Sequence, residues 1–480
     1  MNARAERGLI DLGIEMGTAE FGDTRLTRRL GIIASALSSK PDLGFPMAMG
    51  SESAVEGFYR FLRNGKVTRE AILKPHIDAT IARCAPLPCV LVVHDTTQFH
   101  YGSERRGLGT TNNRQPGFFG HFALALDPSA ANRPLGLLGM TVFSRTKKKY
   151  SRGTRAAYLR KLRHDPTNES LRWGDLVEAV ECDLQGTNSK VIHVMDRESD
   201  AYVLIARMRA VGARFVIRAT AKRRLFAAGL RDAPTEEREA WQDFPDFLER
   251  EVPLSARHRT SPYFCAGRHP VRQARVAKLR FAAKTIRIKR SCHAAAKWPP
   301  WIELNALRVY EVDAPPGEEP VEWLLFTTEP IETAEQIRQI VDTYRARWTI
   351  EEYFKALKTG CAVEQRQLES YTTLTNALAV LAPIAWKILL LRSVDRDADN
   401  IRVAEVVSDT QVEVLRKFSP RPLGPRVTTA AVMQAIAALG GHLSSNGRPG
   451  WQVLWRGYQE LLTLERAWSA ARRRLRSDQS

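Results

Sequence analysis

The stretch YRARWTIEEYFKALK, residues Tyr344–Lys358, has the spacing of one amphipathic helix. At about 100° per residue, its charged and phenolic positions fall within roughly 60° of one another. Those positions are Tyr344, Arg347, Glu351 and Lys358. The adjacent arc is apolar and forms the natural core side, with Ile350, Tyr353, Phe354 and Leu357. A carboxylate flanked by cations at such an edge suits Mg²⁺ and phosphate binding, although a solvated, salt-bridged face has the same spacing.

Two earlier segments place an acid after a short apolar run. The run PCVLVVH precedes Asp95, and VIHVM precedes Asp196. Each pattern predicts a strand buried on both faces with the acid at or near its end. One such acid is ordinarily a turn residue or a helix cap. Two of them, followed by the Glu351 helix, form a more restrictive set.

The composition favours a polyanionic partner. The formal net charge is +19 over 480 residues, and the apolar fraction of 44% is ordinary for globular proteins. The length predicts about three domains. We identify no apolar run of membrane length and no secretory leader pattern, which predicts a soluble, cytoplasmic protein with no membrane partner.

The cysteines do not indicate a disulfide scaffold or a zinc site. Six cysteines are scattered over the chain. Four Cys and His side chains could be imagined as zinc ligands, but the adjacent Cys-His pair has poor geometry for a tetrahedral site. They are Cys265, His269, Cys292 and His293.

The order Asp95, Asp196, Glu351 resembles the DDE triad of RNase H-like transposases. The spacing of Tyr344, Arg347, Glu351 and Lys358 is similar to the YREK signature of the insertion-sequence-four family, and within it to the transposon-five transposases. Further similar motifs are Gly22-Asp23, Asp95-Thr96-Thr97, Asp196-Arg197-Glu198 and Trp323-Leu324-Leu325.

The resemblance implies a bacterial cut-and-paste transposase, located with the nucleoid, that cleaves transposon ends through hairpin intermediates and joins them to target DNA. Asp95, Asp196 and Glu351 would be catalytic and would bind two Mg²⁺ ions about 4 Å apart, with Mn²⁺ able to substitute. Tyr344, Arg347 and Lys358 would grip a phosphate. Trp323 would stack on a flipped base, although a tryptophan in an apolar strand is normally a core residue.

The predicted fold is α/β, with an RNase H-like catalytic core interrupted by a β-rich insertion and flanked by helical domains. Asp23, Ser51 and Thr68 are predicted to begin helices, and the first part of the core is predicted to have antiparallel strands, then a helix and a parallel strand. The predicted units are an end-binding domain (1–75), the first part of the core (76–212), the insertion (213–335), the second part of the core (336–395) and a C-terminal dimerisation domain (396–480). The insertion alternates basic and apolar residues, which predicts one cationic face.

Double-stranded DNA is the expected partner. The candidate DNA contacts outside the signature helix are Arg25, Arg29, Arg60, Arg63, Arg218 and Lys222. Nine Lys or Arg residues between Arg145 and Arg163, with no acid among them, predict a further phosphate-binding loop. Leu26 stands where the transposon-five enzymes have a basic residue, so the end sequence is expected to differ.

We expect a homodimer when two DNA ends are paired. The candidate contact is the final helix, through Trp451, Leu454, Leu461 and Leu462; a packed terminal helix would show the same stripe. Two other functions remain open from the sequence. One is a structure-specific RNase H-like nuclease that cuts without joining, and the other is a non-catalytic DNA-binding protein derived from a transposase.

Overall fold

The structure is a computed structural model, and the residues that it describes are 10–145, 169–221, 223–228, 238–239, 241–254, 256, 271–290, 294–443, 445 and 447–477. Three sequence predictions fall outside these ranges. They concern most of the basic run between Arg145 and Arg163, Lys222, and the group Cys265, His269, Cys292 and His293.

Helices form the first described part of the chain. They are α1 Leu12–Met16, α2 Thr24–Ser39, α3 Phe45–Met49, α4 Glu52–Arg63 and α5 Arg69–Cys84. The side chains of Asp23, Ser51 and Thr68 accept a backbone N–H from the first turn of α2, α4 and α5, as N-cap residues do. These three predicted helix starts are confirmed. Helix α5 runs through Pro75, so the predicted domain boundary at residue 75 falls inside a helix.

The described strands join in one 12-stranded mixed sheet. They are β1 Cys89–His100, β2 Gly109–Thr110, β3 Pro116–Asp127, β4 Arg133–Phe143, β5 Lys190–Met195, β6 Arg214–Arg218, β7 Leu225–Ala227, β8 Arg238–Glu239, β9 Asp246–Leu254, β10 Arg275–Lys289, β11 Trp301–Val312 and β12 Glu322–Thr327. The order is β2-β3-β1-β5-β6-β12-β11-β10-β7-β8, with β4 on β3 and β9 on β10. The predicted mixed α/β class is confirmed.

The centre of the sheet changes from antiparallel to parallel pairing. Strands β1, β3 and β4 pair antiparallel, whereas β5 pairs parallel with β1 and β6 parallel with β5. Helix α6 Glu169–Leu184 leads into β5, and α7 Tyr202–Ala210 leads into β6. The predicted sequence of antiparallel strands, helix and parallel strand is confirmed.

Helices cover both faces of this central sheet. Leu91 and Val93 of β1 share a core with α8 Ala334–Arg345, α9 Trp348–Lys355 and α10 Tyr371–Arg396. Val90 and Val92 face the opposite way, into a core with Leu176 of α6. Because alternate strand residues point to opposite faces, Asp95 lies on the side of α8–α10.

The predicted insertion extends the central sheet. Strand β12 pairs antiparallel with β6, and β11 and β10 continue from it. Its expected cationic face is largely neutralised by ion pairs within the sheet. The Nζ of Lys278 lies 2.8 Å from Glu249, and Arg280 lies 2.6 Å from the same carboxylate. Arg308 pairs with Glu322 at 2.8 Å. These three cations are therefore paired with acids of the same sheet.

Helix α10 is the centre of the core. By length and composition it could cross a membrane, contrary to the sequence prediction, but the apolar window is entirely buried inside the protein. Its burial all round explains the continuous apolar pattern. It is the one such helix found in the described part of the chain, and it is placed as a core helix.

Three more helices follow: α11 Asp409–Phe418, α12 Thr429–Leu439 and α13 Trp451–Ser477. Leu454 and Leu461 of α13 are fully buried within the chain, and Trp451 and Leu462 are half-buried. A side chain already packed inside one chain cannot also bury itself against a second copy. The predicted dimer contact through Leu454 and Leu461 is therefore wrong, and the packed-helix interpretation holds for these two residues.

Candidate active site

Asp95 and Asp196 lie at the same end of two neighbouring parallel strands. Strand β1 pairs with β5 only as far as His94, and Asp95 is the next residue. Asp196 directly follows β5. Strand β1 continues to His100, paired there with β3 alone. Asp95 therefore directly follows the parallel part of the strand but lies inside the strand itself.

Backbone N–H groups orient both carboxylates. Asp95 Oδ1 accepts the N–H of Thr96 at 2.7 Å. Asp196 Oδ1 accepts the N–H of Glu198 at 2.9 Å and caps a short 3₁₀ turn, Arg197–Ser199. One oxygen of each carboxylate is thus fixed, which leaves the other oxygen for a further partner.

The signature segment is not one regular helix. Tyr344 lies in the last turn of α8, Glu351 lies in α9, and Lys358 lies in a π-helical turn, Ala356–Gly360. The junction is bridged by the N–H of Arg347, which donates to the carbonyl of Tyr344 at 3.1 Å in the i to i+3 manner. The prediction of a single regular stripe is therefore wrong in geometry, because tighter and wider turns change the angle per residue.

The apolar arc of the segment is buried as expected. Ile350, Tyr353 and Leu357 are fully buried, and Phe354 is 7% exposed. Their burial fixes α9 against β1 and turns Glu351 towards the open edge, where its side chain is 38% exposed.

Arg347 joins the two halves of the site. Its Nη1 lies 3.0 Å from Asp95 Oδ2 and 3.4 Å from Glu351 Oε1. The guanidinium is largely shielded from solvent, as is the Asp95 carboxylate. Two acids that are far apart in sequence therefore share one cation.

Lys358 reaches back to β1. Its Nζ donates to the carbonyl of Gln98 at 2.5 Å, lies 4.0 Å from Glu364 and stands over the ring of Phe99. Burial lowers the pKa of Lys358, against the opposing charge of Glu364. The π turn places this ammonium on the site side of the sheet.

Trp323 and Tyr344 form an aromatic pair beside the acids. Trp323 opens the buried part of β12 and is half-buried, and its ring meets that of Tyr344 edge-on at 5.5 Å. Burial raises the pKa of the Tyr344 phenol, against the opposing charges of Arg218 and Arg347. Arg218 ends β6 and donates to the carbonyl of Glu322 at 3.4 Å. The structure therefore brings Arg218 to the site with the signature residues.

Burial and repulsion between the acids raise the pKa values of the two aspartates at this site. Burial raises the pKa of Asp95 to about 7, and the charges of Asp196 and Glu351 add to the rise while Arg347 opposes it. Burial also raises the pKa of Asp196. A cation held between these groups would relieve the repulsion, and an all-carboxylate set favours a hard ion such as Mg²⁺.

Within the described ranges, no three His, Cys, Asp or Glu side chains are gathered closely enough to hold a metal ion. Asp95, Asp196 and Glu351 fit a divalent ion by chemistry and by their common edge. They are not drawn together into a finished ligand set, and Arg347 contacts two of them.

Two nearby residues were missed by the sequence analysis. Glu198 has a raised pKa, caused by burial and then by Asp196. Glu364 accepts the N–H of His100 at 2.8 Å and faces Lys358. Glu198 belongs to the Asp-Arg-Glu motif and could have been found there. Glu364 could not, because its six-residue offset from Lys358 is not a helical neighbour spacing.

The N-terminal arginines lie away from the acids. Arg25 and Arg60 are exposed and pair locally with Asp23 and Glu56, and Arg63 pairs with Glu369 at 3.1 Å. These three present their charge to solvent. Arg29 is half-buried against α4, where a Cβ on Gly57 would come within 2.9 Å of its Nη1. Arg29 thus also packs α2 against α4.

Two family models match this chain. Residues 12–67 match a transposase DNA-binding domain, and residues 167–385 match a transposase DDE domain. The first match covers helices α1 to α4, and the second contains Asp196 and Glu351. The chain thus carries both a transposase DNA-binding domain and a DDE domain, which supports a DNA transposase.

A solved structure is also similar at a low level. It is described as a cryo-EM structure of piggyBac transposase synaptic complex with hairpin DNA. The match has 9% sequence identity and a TM-score of 0.32, and it covers 78% of this chain and 67% of that chain. A TM-score of this size is too low to carry a conclusion about the fold.

Proposed function

We propose that this protein is a cut-and-paste DNA transposase of the insertion-sequence-four type, with an RNase H-like catalytic core. It would bind the terminal inverted repeats of its element, cleave the ends and join the 3′ ends to target DNA. One observation carries the proposal. Acids from two adjacent parallel strands and from a facing helix lie at one edge of the sheet, with arginine and lysine side chains near them.

The acids would hold the metal ions of the reaction. Asp95 and Asp196 each have one oxygen fixed by a backbone N–H, and the other oxygen of Asp95 contacts Arg347. Glu351 completes the set from α9. When bound, two Mg²⁺ or Mn²⁺ ions would activate the attacking oxygen and stabilise the leaving 3′-oxygen.

The cations would position the DNA phosphate. Arg347 offers two N–H groups in a planar fork, and Lys358 offers a point charge at the end of its flexible side chain. Arg218 lies next to Tyr344 and can take part in the same contact. Desolvated cations at a carboxylate edge attract a phosphate into a place from which the acids alone would repel it.

The aromatic pair suits a base that leaves the duplex. Trp323 is half-buried, so one part of its ring is anchored on Tyr344 and the remainder is open. Unstacking a base costs a few kcal/mol, and stacking on an indole offsets part of that cost. A hairpin intermediate needs such a distortion near the cleaved end.

Transposition joins two ends, so we propose a homodimer in the DNA-bound complex. The contact would involve surfaces other than Leu454 and Leu461, which are buried within the chain. The exposed arginines of α2 and α4 would bind the end sequence.

The test uses duplex DNA that carries the sequence flanking the reading frame. Asp95→Asn, Asp196→Asn and Glu351→Gln should each reduce nicking to below a few per cent of wild type while end binding stays nearly intact. Asp399→Asn, at an exposed position, is the matched control. Joined products in a strand-transfer assay would exclude a nuclease that only cuts. Binding without cleavage by the wild type would favour a non-catalytic DNA-binding protein and refute the proposal.

A further inference from the structure

The contacts of Arg347 with two acids conflict with its proposed role as a ligand of the DNA phosphate. Its Nη1 contacts Asp95 Oδ2 at 3.0 Å and Glu351 Oε1 at 3.4 Å, and its Nη2 lies 3.5 Å from the same Glu351 oxygen. Asp95 Oδ1 is already engaged by the N–H of Thr96. The guanidinium therefore takes the oxygen of Asp95 that remains for another partner.

We propose that Arg347 is a resident counter-ion that competes with metal for Asp95 and Glu351, and that DNA phosphate relieves the competition by drawing the guanidinium away. This inference rests on the proposed function, because it concerns the ions of that same site. The consequence is a coupling between two ligands. Metal binds the acids tightly only when a phosphate has engaged Arg347, so the enzyme without DNA holds little metal.

The physical basis is the balance of charge at a shielded place. Arg347 offsets the charges of Asp95 and Glu351. A divalent ion beside the guanidinium would place like charges within a few ångströms of each other. Arg347 can leave only if another anion replaces its partners, because an unpaired buried cation is costly. A DNA phosphate is such an anion, with oxygens that match the guanidinium fork.

The location of Arg347 suits this movement. It stands at the junction between α8 and α9, where single i to i+3 bonds replace the regular helical ladder. The side chain can thus reorient without unwinding either helix. Because Tyr344 and Arg218 lie close to it, a phosphate bound beside the aromatic pair would be within reach.

The experiment measures Mn²⁺ binding by electron paramagnetic resonance at pH 8, without activity as the readout. The metal-free wild type should bind Mn²⁺ weakly alone and about tenfold more tightly with the flanking-sequence duplex. Arg347→Gln should bind Mn²⁺ about tenfold more tightly than wild type without DNA, and DNA should add little. Arg345→Gln is the matched control, because Arg345 is an exposed cation two residues earlier that pairs with Asp342.

The outcomes separate this inference from the function it rests on. Equal DNA-free affinities in Arg347→Gln and Arg345→Gln would overturn the inference while leaving the metal site in place. If Arg347→Gln does not fold, the wild type alone tests the coupling. Equal affinity of wild type for Mn²⁺ with and without DNA would refute it. The DNA itself binds some Mn²⁺, and this background is measured with Asp95→Asn and the same duplex and then subtracted. If neither wild type nor Arg347→Gln binds more Mn²⁺ than Asp95→Asn does, even with DNA, the proposed metal-dependent function fails as well.

Discussion

Replacing Asp95 with asparagine is expected to stabilise the metal-free protein, although it should destroy catalysis. The Asp95 side chain is 14% exposed, and burial raises its pKa to about 7 from the ordinary value of 3.8. The folded state therefore binds a proton more tightly than the unfolded state does. This favours folding below the unfolded pKa, and stability is lost as pH rises through the folded pKa.

The size of this effect on the free energy of unfolding follows from the rise in the pKa of Asp95. A rise of about three pKa units corresponds to about 4 kcal/mol, because one unit is about 1.4 kcal/mol. Asparagine does not ionise, so the free energy of unfolding of Asp95→Asn should exceed that of wild type by about 0.5 kcal/mol at pH 4. At pH 8 the difference should be about 2–4 kcal/mol, because Asp196 and Glu351 share the repulsion with Asp95.

Urea unfolding at pH 4, 6 and 8 in the presence of a chelator measures this difference, with Asp399→Asn as the matched control. Saturating Mg²⁺ should stabilise wild type and leave Asp95→Asn unchanged, which reduces the gap at pH 8. A variant that is equally stable or less stable than wild type at pH 8 without metal would refute the reasoning. It would mean that the Arg347 contact outweighs burial and repulsion at Asp95.

Two substitutions and one truncation test other parts of the structure. Trp323→Ala should slow hairpin formation more than first-strand nicking, with Trp323→Phe close to wild type; equal loss of both steps together with a lower melting temperature would indicate a core role. Arg366→Met should lower the unfolding free energy by about 3 kcal/mol or more in urea, because this buried guanidinium donates to the carbonyls of Pro41, Leu43 and Cys361; a loss below 1 kcal/mol would contradict this. Truncation after residue 445 should lower the melting temperature, because it removes the buried Leu454 and Leu461; an unchanged melting temperature together with lost end pairing would restore α13 as a dimer contact.

The chain's local patterns were sufficient for the elements that carry the acids. Apolar runs before Asp95 and Asp196 predicted β1 and β5, since a strand buried on both faces has no polar alternation. Asp23, Ser51 and Thr68 predicted three helix starts because capping is a contact within a few residues. The class of chemistry was implied by the resemblance to DDE transposases, and residue type agrees with it, since carboxylates with nearby cations suit hard ions and phosphates.

The tertiary structure decided what distant residues do to one another. The sequence places Arg347 on a helix face with Glu351, but its 3.0 Å contact with Asp95 exists only because β1 lies under α9. Glu364 reaches Lys358 through a π turn, and Leu454 is buried by helices that precede it in the chain. Capping and periodicity are short-range and are written in consecutive residues. Burial, ion pairing and the pKa of Asp95 depend on which segments meet in space, and the folded chain alone fixes that.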